Sequence, residues 1–388
     1  MPIPMREATT EIPGALAAAT QHQPGARAAL AAALDAPTHA YLFAGPPGAG
    51  KREAARAFAA ELLAHGAPDP PDARRRALAV PSPHPDLVWL EPPGNQHLVE
   101  AVREHVIAAA SYRPFEGERR VFVIAAADAM AEESQNALLK TLEEPASFAH
   151  LLLLSAEPEA LLETVRSRLR EVRFQALAPE VAAELLAERV PDASPQERRA
   201  AARLAGGDVG AGAMLCSVGG RELRAAAEAC ARAARAGDLA ERPWLELLAA
   251  SEAAGKTASD AARAAAEALA AEAGESEGPA ARRRAKEGEE SARRAGRRGR
   301  TEALDRGLAL VAAWLRDLGA VADGGSELVL TSDRAGELAT DAEGLDSRRA
   351  RRAAELVMDT RRRLTVNVSE ELALEALAYR VESLIGKR

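Results

Sequence analysis

Residues 45–51 have the composition of a phosphate-binding loop. They read GPPGAGK and match the pattern G-x-x-x-x-G-K. Glycines in such a loop let successive backbone N–H groups converge on phosphate oxygens, and the lysine reaches the β- and γ-phosphates. The candidate nucleotide-binding residues are those of the loop and the position after it: Gly45, Gly48, Ala49, Gly50, Lys51 and Arg52.

Two groups that would fix a magnesium ion near this loop are missing from the sequence. A hydroxyl residue normally follows the lysine and ligates Mg²⁺, but Arg52 stands there, and a guanidinium has no lone pair to offer. An acid is also expected after the apolar run 120–124, where the chain has Ala125 and Ala126. The first acid is Asp128, which could serve only through a shift of register. We therefore expect a loop that binds ATP or ADP weakly without hydrolysing it, and no metal site.

Strands and helices alternate through residues 28–175 and would place this loop between a strand and a helix. Several strands are nearly continuous apolar runs, as expected for a parallel sheet covered by helices on both faces. We predict strands at 40–44, 87–90, 120–127, 150–155 and 171–174, and helices at 28–34, 53–63, 98–110, 132–144 and 161–166. The proline-rich segment 68–85 is predicted to be a loop.

The rest of the chain is predicted to be all-helical. Short amphipathic helices over 179–218 break at Val190–Pro191 and Gly206–Gly207, which indicates a small helical domain. The charged stretch 270–300 is either a solvated helix with a frayed middle or a mobile linker. The predicted domains are an α/β nucleotide-binding-like domain, a helical lid and a C-terminal helical domain, at residues 1–176, 177–220 and 221–388.

The composition indicates a helix-rich globular protein of several domains. The chain has 388 residues, of which 47% are apolar and 3% aromatic, and a formal net charge of −8. This charge excludes a uniformly basic protein that coats nucleic acid. Within 282–300 the arginines could follow DNA phosphates, but the interleaved glutamates and the lack of aromatic residues favour a solvated helix.

Cysteine spacing and hydropathy make further exclusions. Cys216 and Cys230 lie outside any C-x-x-C pattern, so neither a disulfide framework nor a zinc knuckle is predicted. The first 20 residues lack a basic segment followed by a long apolar core, and no run approaches 18 apolar residues. We expect a cytoplasmic protein that does not contact the membrane.

Four stretches together resemble the AAA+ clamp-loader subunits of bacterial DNA polymerase III, and the delta-prime type more closely. They lie at 38–51, 84–92, 120–130 and 133–145, and the segment NALLKTLEEP (136–145) is especially specific. The family often carries a four-cysteine zinc module before its second strand, but 61–83 contains no cysteine, so zinc is not expected. The resemblance implies an AAA+ P-loop sheet, a helical lid and a helical collar that oligomerises.

The segment TVRSRLR (164–170) resembles the serine-arginine-cysteine motif of this family, with Leu169 where cysteine is usual. The resemblance implies that Arg168 reaches the γ-phosphate held by an adjacent subunit, with Ser167 in support. An arginine suits this task because it is always charged and offers a planar fork of donors. An ordinary surface salt bridge is the alternative for Arg168. Ser155 matches a polar sensor residue of the family, or is a simple strand-end turn former.

The function implied by the resemblance is that of a stator without ATPase activity of its own. Such a subunit would donate an arginine in trans while a neighbouring ATPase loads the sliding clamp onto primed DNA. Its implied partners are the gamma/tau and delta subunits, the clamp and, through the assembly, primed DNA. The alternatives are an ATP-hydrolysing gamma/tau-like motor subunit and a P-loop nucleotide kinase. Segments 301–318, 329–333 and 367–381 resemble collar helices.

Overall fold

The computed structural model describes residues 12–80, 82–92, 96–272, 279–364 and 369–387. The chain folds as two compact units, Met1–Leu177 and Ala178–Arg388. The first unit contains the sheet and the glycine-rich loop. Among the described residues of the second unit, every secondary-structure element is a helix.

Five strands in the described part of the first unit form one parallel sheet in the order β2-β3-β4-β1-β5. The strands are β1 (Ala40–Ala44), β2 (Leu87–Leu90), β3 (Arg120–Ile124), β4 (Ala149–Ser155) and β5 (Arg170–Arg173). This confirms the predicted parallel sheet. The third strand is shorter than predicted, because Ala126 adopts a left-handed conformation (φ 50°) and turns the chain away from the sheet.

Helices cover both faces of this sheet. Along β1, Tyr41 and Phe43 contribute to one buried apolar cluster and Leu42 to another, as the alternation of side chains along a strand requires. The helices of the first unit are α1 (Gly14–Ala19), α2 (Pro24–Asp35), α3 (Lys51–Ala64), α4 (Pro70–Leu78), α5 (Val99–Val102), α6 (Glu132–Glu143) and α7 (Glu163–Arg166). A π-helical turn (Arg103–Ala108) and a 3₁₀ turn (Ala109–Ser111) continue α5.

The prediction of a loop over 68–85 is wrong where α4 stands. Pro70 begins this helix, in the first turn, where the missing N–H of proline leaves no hydrogen bond unmade. The side chain of Asp69 accepts a hydrogen bond from the backbone N–H of Asp72 (3.1 Å) and caps the helix. Arg76 then pairs with Asp72 one turn earlier. The prolines and arginines that indicated a loop are therefore parts of a helix start; Pro81 lies outside the described residues.

Nine helices build the described part of the second unit. They are α8 (Pro179–Arg189), α9 (Pro195–Leu204), α10 (Val209–Cys216), α11 (Val218–Ala236), α12 (Trp244–Glu272), α13 (Pro279–Ala322), α14 (Ala335–Ala342), α15 (Ser347–Arg363) and α16 (Glu370–Ile385). The breaks fall where they were predicted, at Val190 and at the left-handed Gly206 and Gly207. Residues 178–388 form one compact unit, so a domain boundary at 220 stays a prediction. In the described residues no helix combines the length and apolar character of a bilayer span.

The charged stretch 270–300 is helical wherever the structure describes it, which favours the solvated helix over the linker; residues 273–278 lie outside the described part. Helices α12 and α13 pack closely through small residues. A Cβ added at Gly255 would lie 2.8 Å from both the Cβ of Arg300 and the backbone oxygen of Gly296. Ion pairs such as Arg263 with Glu289 (3.2 Å) lie on the solvent side of this helix pair.

Buried imidazoles make the stability of the first unit depend on pH. His150 on β4 is 3% exposed, and its Nδ1 lies 2.8 Å from the backbone oxygen of Thr38. Burial lowers the pKa of His150 to about 4, and burial also lowers the pKa values of His84 and His97. As the pH falls below about 6.5, the imidazole takes up a proton in the unfolded chain but not in the folded one. The contribution of His150 to the free energy of unfolding is therefore fully present above that pH and is lost as the pH falls towards 4.

We predict that His150→Gln flattens this pH dependence. In the wild type the contribution of His150 to the free energy of unfolding should fall by up to about 3 kcal/mol between pH 6.5 and pH 4. Urea unfolding at several pH values measures it. The exposed His22→Gln should keep the wild-type slope. An unchanged slope in His150→Gln would show that this imidazole titrates alike in both states.

Candidate functional site

The glycine-rich loop lies at the carboxyl edge of the sheet, directly after β1. The backbone N–H of Gly45 donates to the oxygen of Ser155 at the end of β4 (3.2 Å). A Cβ at Gly45 would lie 2.3 Å from the backbone oxygen of Phe174, so only glycine fits between these strands. Gly50 has a φ of 87° and stands immediately before α3, which Lys51 begins. The loop therefore joins a central strand to the N-terminus of a helix, as a phosphate-binding loop requires.

The loop has the groups that could hold phosphates. Lys51 is 9% exposed, and its ammonium donates to the backbone oxygens of Gly45 and of Pro46, the latter at 2.6 Å. The first turn of α3 adds backbone N–H groups and the positive end of a helix dipole. ATP or ADP would be held by these groups, with the lysine exchanging loop carbonyls for phosphate oxygens. The backbone and Lys51 thus fit a polyphosphate.

The surroundings do not fit a magnesium ion. The guanidinium of Arg52 bonds to Glu91. Ala125 is buried and offers no side-chain oxygen. The carboxylate of Asp128 accepts a hydrogen bond from the backbone N–H of Ala156 (3.0 Å), so it fastens the turn after β3 to the end of β4. Asp128 lies four residues beyond the end of β3, and its role in place of the missing acid stays an untested alternative. Within the described residues, no group of three or more His, Cys, Asp or Glu is placed to hold a metal ion.

Gln23 is a loop-positioning residue that sequence reasoning missed. Its side chain is 4% exposed, and its amide nitrogen donates to the backbone oxygens of Ala49 (3.1 Å) and Gln175 (2.7 Å). The amide oxygen accepts from the backbone N–H of Gln175 (2.9 Å). One buried amide thus ties the loop to the segment that follows β5. The sequence carries no signal for this contact, because the partners lie 26 and 152 residues away.

Ser155 ends β4 beside the last residue of β1, Ala44. It is fully buried, and its hydroxyl has no hydrogen-bond partner among the described residues. Its backbone oxygen accepts from the loop, so the residue adjoins the phosphate-binding segment. This position is compatible with the predicted sensor role, which stays a prediction.

Arg168 follows α7, in the short segment that leads into β5. Its guanidinium donates to a carboxylate oxygen of Glu143 (2.6 Å) and to the backbone oxygen of Thr164 (2.7 Å). The arginine side chain is 36% exposed and that of Glu143 is 49% exposed, so both groups reach solvent. Ser167 is exposed and its hydroxyl donates to the Thr164 oxygen (3.2 Å). The arginine predicted to act in trans is thus accessible and held by an exposed acid.

Arg168 lies towards the amino edge of the sheet, away from the loop of its own chain. Arg170 pairs with Tyr41, which precedes Gly45 by four residues. At about 3.3 Å per residue, Arg170 lies about 13 Å from Gly45 along the strand direction. Arg168 precedes Arg170 and so lies further towards the amino edge. Its guanidinium is engaged with Glu143 at the end of α6. The structure therefore does not bring the two predicted sites together within one chain.

Helix α6, which contains most of the NALLKTLEEP segment, helps to position this arginine. Gln135, just before it on α6, is buried, and its amide oxygen accepts from the backbone N–H of Leu162 (2.7 Å). Its amide nitrogen donates to the Met130 oxygen (3.0 Å). Gln135 thereby fixes the start of α7, which carries the chain to Arg168. Leu169, at the position of the family cysteine, is partly buried and packs against the apolar cluster on this face.

The strand order, the glycine-rich loop and the following helix define the first unit as a P-loop α/β domain of AAA+ type. A family model described as "DNA polymerase III, delta subunit" matches residues 25–178, almost all of this unit. This match and the relatives named delta' together confirm the resemblance of this domain to delta-prime clamp-loader subunits of DNA polymerase III.

Individual relatives agree with this match. DNA polymerase III subunit delta' of Bacillus subtilis is 33% identical over 172 residues, 43% of this chain and 50% of that protein. The delta' subunit of Pseudomonas aeruginosa is 35% identical over 194 residues, 48% of this chain and 58% of that protein. DNA polymerase III subunit gamma/tau of Mycobacterium tuberculosis H37Rv is 35% identical over 167 residues, 41% of this chain and 28% of that protein. The chain spans about half the length of the delta' relatives.

We predict that Gln23→Ala destabilises the first unit and loosens the loop. The substitution leaves backbone groups of Ala49 and Gln175 without their side-chain partner, which should cost about 1–3 kcal/mol of unfolding free energy. Hydrogen exchange of peptides covering 44–52, read by mass spectrometry, should accelerate. The exposed Gln21→Ala is the matched control. Equal exchange in both variants would show that Gln23 does not hold the loop.

Proposed function

We propose that this chain is a delta-prime-like clamp-loader subunit whose Arg168 acts on nucleotide held by a neighbouring ATPase subunit. The observation that carries the proposal is the place of the arginine: exposed, and at the level of the sheet opposite its own loop. A guanidinium at this place can contact a nucleotide phosphate only if the nucleotide is bound by another subunit. Beside a γ-phosphate, such an arginine is worth about 10³–10⁵ in rate.

Loop chemistry separates this role from that of a motor subunit. The gamma/tau relatives match at an identity similar to that of the delta' relatives, so identity alone does not distinguish the two. A motor needs a hydroxyl after Lys51 and an acid after β3. This chain has Arg52 and Ala125 at those positions. Both changes weigh against hydrolysis and favour the stator over the gamma/tau-like alternative.

The partners follow from the same proposal. They are the gamma/tau and delta subunits, the sliding clamp and, through the assembled complex, primed DNA, all in the cytoplasm. The helices of the second unit would supply the collar contacts that hold the subunits together.

Several residues of the collar-like stretches make contacts within the second unit. Asp333 pairs with Arg224 (2.7 Å), and the buried Asp317 accepts from the backbone N–H of Thr331 (2.8 Å).

We predict that the isolated chain shows no steady ATP hydrolysis and that it stimulates a gamma/tau-type ATPase through Arg168. Arg168→Ala should abolish the increase in rate, because the cation at the neighbouring γ-phosphate is lost. Steady-state phosphate release of the reconstituted complex measures it. Co-purification of the variant with the complex checks that assembly is intact.

Arg103→Ala is the control for that experiment, because Arg103 is another exposed arginine paired with an acid, Glu133 (2.8 Å). Its stimulation should equal that of the wild type. Full stimulation by Arg168→Ala would remove the finger role. Robust turnover by the isolated wild type would favour the motor subunit.

We also predict an effect of the acid that holds Arg168. Glu143→Gln should release the guanidinium from a competing carboxylate, and an exposed ion pair is worth about 0–1 kcal/mol. The concentration of this chain that gives half-maximal stimulation should then be up to about fivefold lower. Glu144→Gln, the adjacent exposed acid, should not shift the titration. A loss of stimulation as deep as that of Arg168→Ala would make Glu143 part of the subunit contact instead of a competitor.

A further inference from the structure

Glu91 and Trp89 hold Arg52 beside the loop, and we call these two side chains the bracket. It is the second residue of α3, and 54% of its side chain is exposed. Its guanidinium bonds to a carboxylate oxygen of Glu91, and the same oxygen accepts from the indole N–H of Trp89 (2.9 Å). The guanidinium carbon also lies 5.6 Å from the centroid of the Trp89 ring. The cation is thus preorganised by one acid and one aromatic face, and solvent reaches it.

The acid of this bracket lies next to the position where a P-loop ATPase carries its metal-side carboxylate. Glu91 directly follows Leu90, the last residue of β2, and the Leu90 oxygen accepts from the backbone N–H of Ala125 (2.9 Å). Ala125 is the residue that replaces the expected acid after β3. A carboxylate is therefore present one strand away, but it is bonded to Arg52. A guanidinium and an acid occupy the corner in which other P-loop proteins place a hydroxyl, a metal ion and an acid.

A second arginine at this corner has a different task. The guanidinium carbon of Arg56 lies 4.3 Å from the Trp89 ring centroid, and its nitrogen donates to the backbone oxygen of Ala79 (2.9 Å). Burial and the nearby charge of Arg52 lower the pKa of Arg56. Arg56 is anchored on the backbone and supports the ring. Arg52 is held by an exposed carboxylate, which a stronger anion can replace.

We propose that Arg52 takes the place of the divalent cation, so that this loop binds the polyphosphate of a nucleotide in metal-free form. On binding, Arg52 exchanges Glu91 for phosphate oxygens, which accept the planar fork of a guanidinium in charge-assisted hydrogen bonds. Magnesium opposes this binding, because it neutralises the same phosphates and finds no ligand set in the loop. The inference rests on the proposed function in one respect: this loop does not need to hydrolyse what it binds.

Calorimetric titration of the full chain tests the inference. The probes are ATP, ADP and inorganic tripolyphosphate, each in excess Mg²⁺ and in EDTA. We expect binding in EDTA and about three- to tenfold weaker binding in Mg²⁺, the loss of about one charge-assisted contact. Binding of all three probes would make the phosphate chain the ligand. Binding of ATP and ADP alone would add recognition of the nucleoside, and both results support Arg52 as the cation.

Variants locate the effect at the bracket. Arg52→Gln should weaken binding in EDTA about tenfold and remove the inhibition by Mg²⁺, whereas Arg52→Lys should retain part of the affinity. Glu91→Gln should tighten binding several-fold, because the competing carboxylate is gone. Glu133→Gln, which removes another exposed acid from its arginine, is the matched control and should bind as the wild type does. Circular dichroism and the melting temperature verify the fold of each variant.

Three results would overturn the inference. They are the absence of binding in EDTA, binding that requires Mg²⁺, and equal affinities of Arg52→Gln and the wild type. The first and third leave the trans role of Arg168 intact, since stimulation of a partner does not depend on the loop of this chain. Magnesium-dependent binding together with turnover would contradict both proposals at once.

Discussion

The direction of the strands is the constraint on which the functional sites depend. All five described strands run parallel, so segments that follow strands meet at one edge of the sheet and segments that precede them meet at the other. The loop follows β1, whereas Arg168 precedes β5, the neighbour of β1. One chain therefore has the glycine-rich loop at one edge of the sheet and Arg168 towards the other. In the proposed function, Arg168 acts on a nucleotide only where its edge of the sheet meets the loop edge of a second subunit.

Exchangeable partners hold the cations at both edges. Loop carbonyls hold Lys51, Glu91 holds Arg52, and Glu143 holds Arg168. Exposed ion pairs are weak, so in the two proposals each acid would keep its arginine in place and would yield it to a phosphate. The rigid parts of the sites are instead built from buried amides. Gln23 fixes the loop and Gln135 fixes the start of α7, and both bond to backbone groups that cannot move independently of the fold.

The sequence predicts the elements with a local signature and misses those set by distant contacts. Apolar runs predict the strands, and the glycines with Lys51 predict the loop. Helix α4 was missed because its prolines look like loop residues until Asp69 is known to cap them. Gln23 and Glu143 leave no pattern, because their partners lie 152 and 25 residues away. The resemblance points to Arg168, but only the strand register places it opposite the loop.

The measurement that tests the central claim most directly is a cryo-EM structure of the reconstituted clamp loader with a γ-phosphate analogue bound to its ATPase subunits. The account predicts that the guanidinium of Arg168 leaves Glu143 and lies within hydrogen-bonding distance of an analogue bound by the adjacent subunit. It also predicts no ordered metal ion at Arg52. An Arg168 buried away from every subunit boundary, or a magnesium ion held by side chains of this loop, would contradict it.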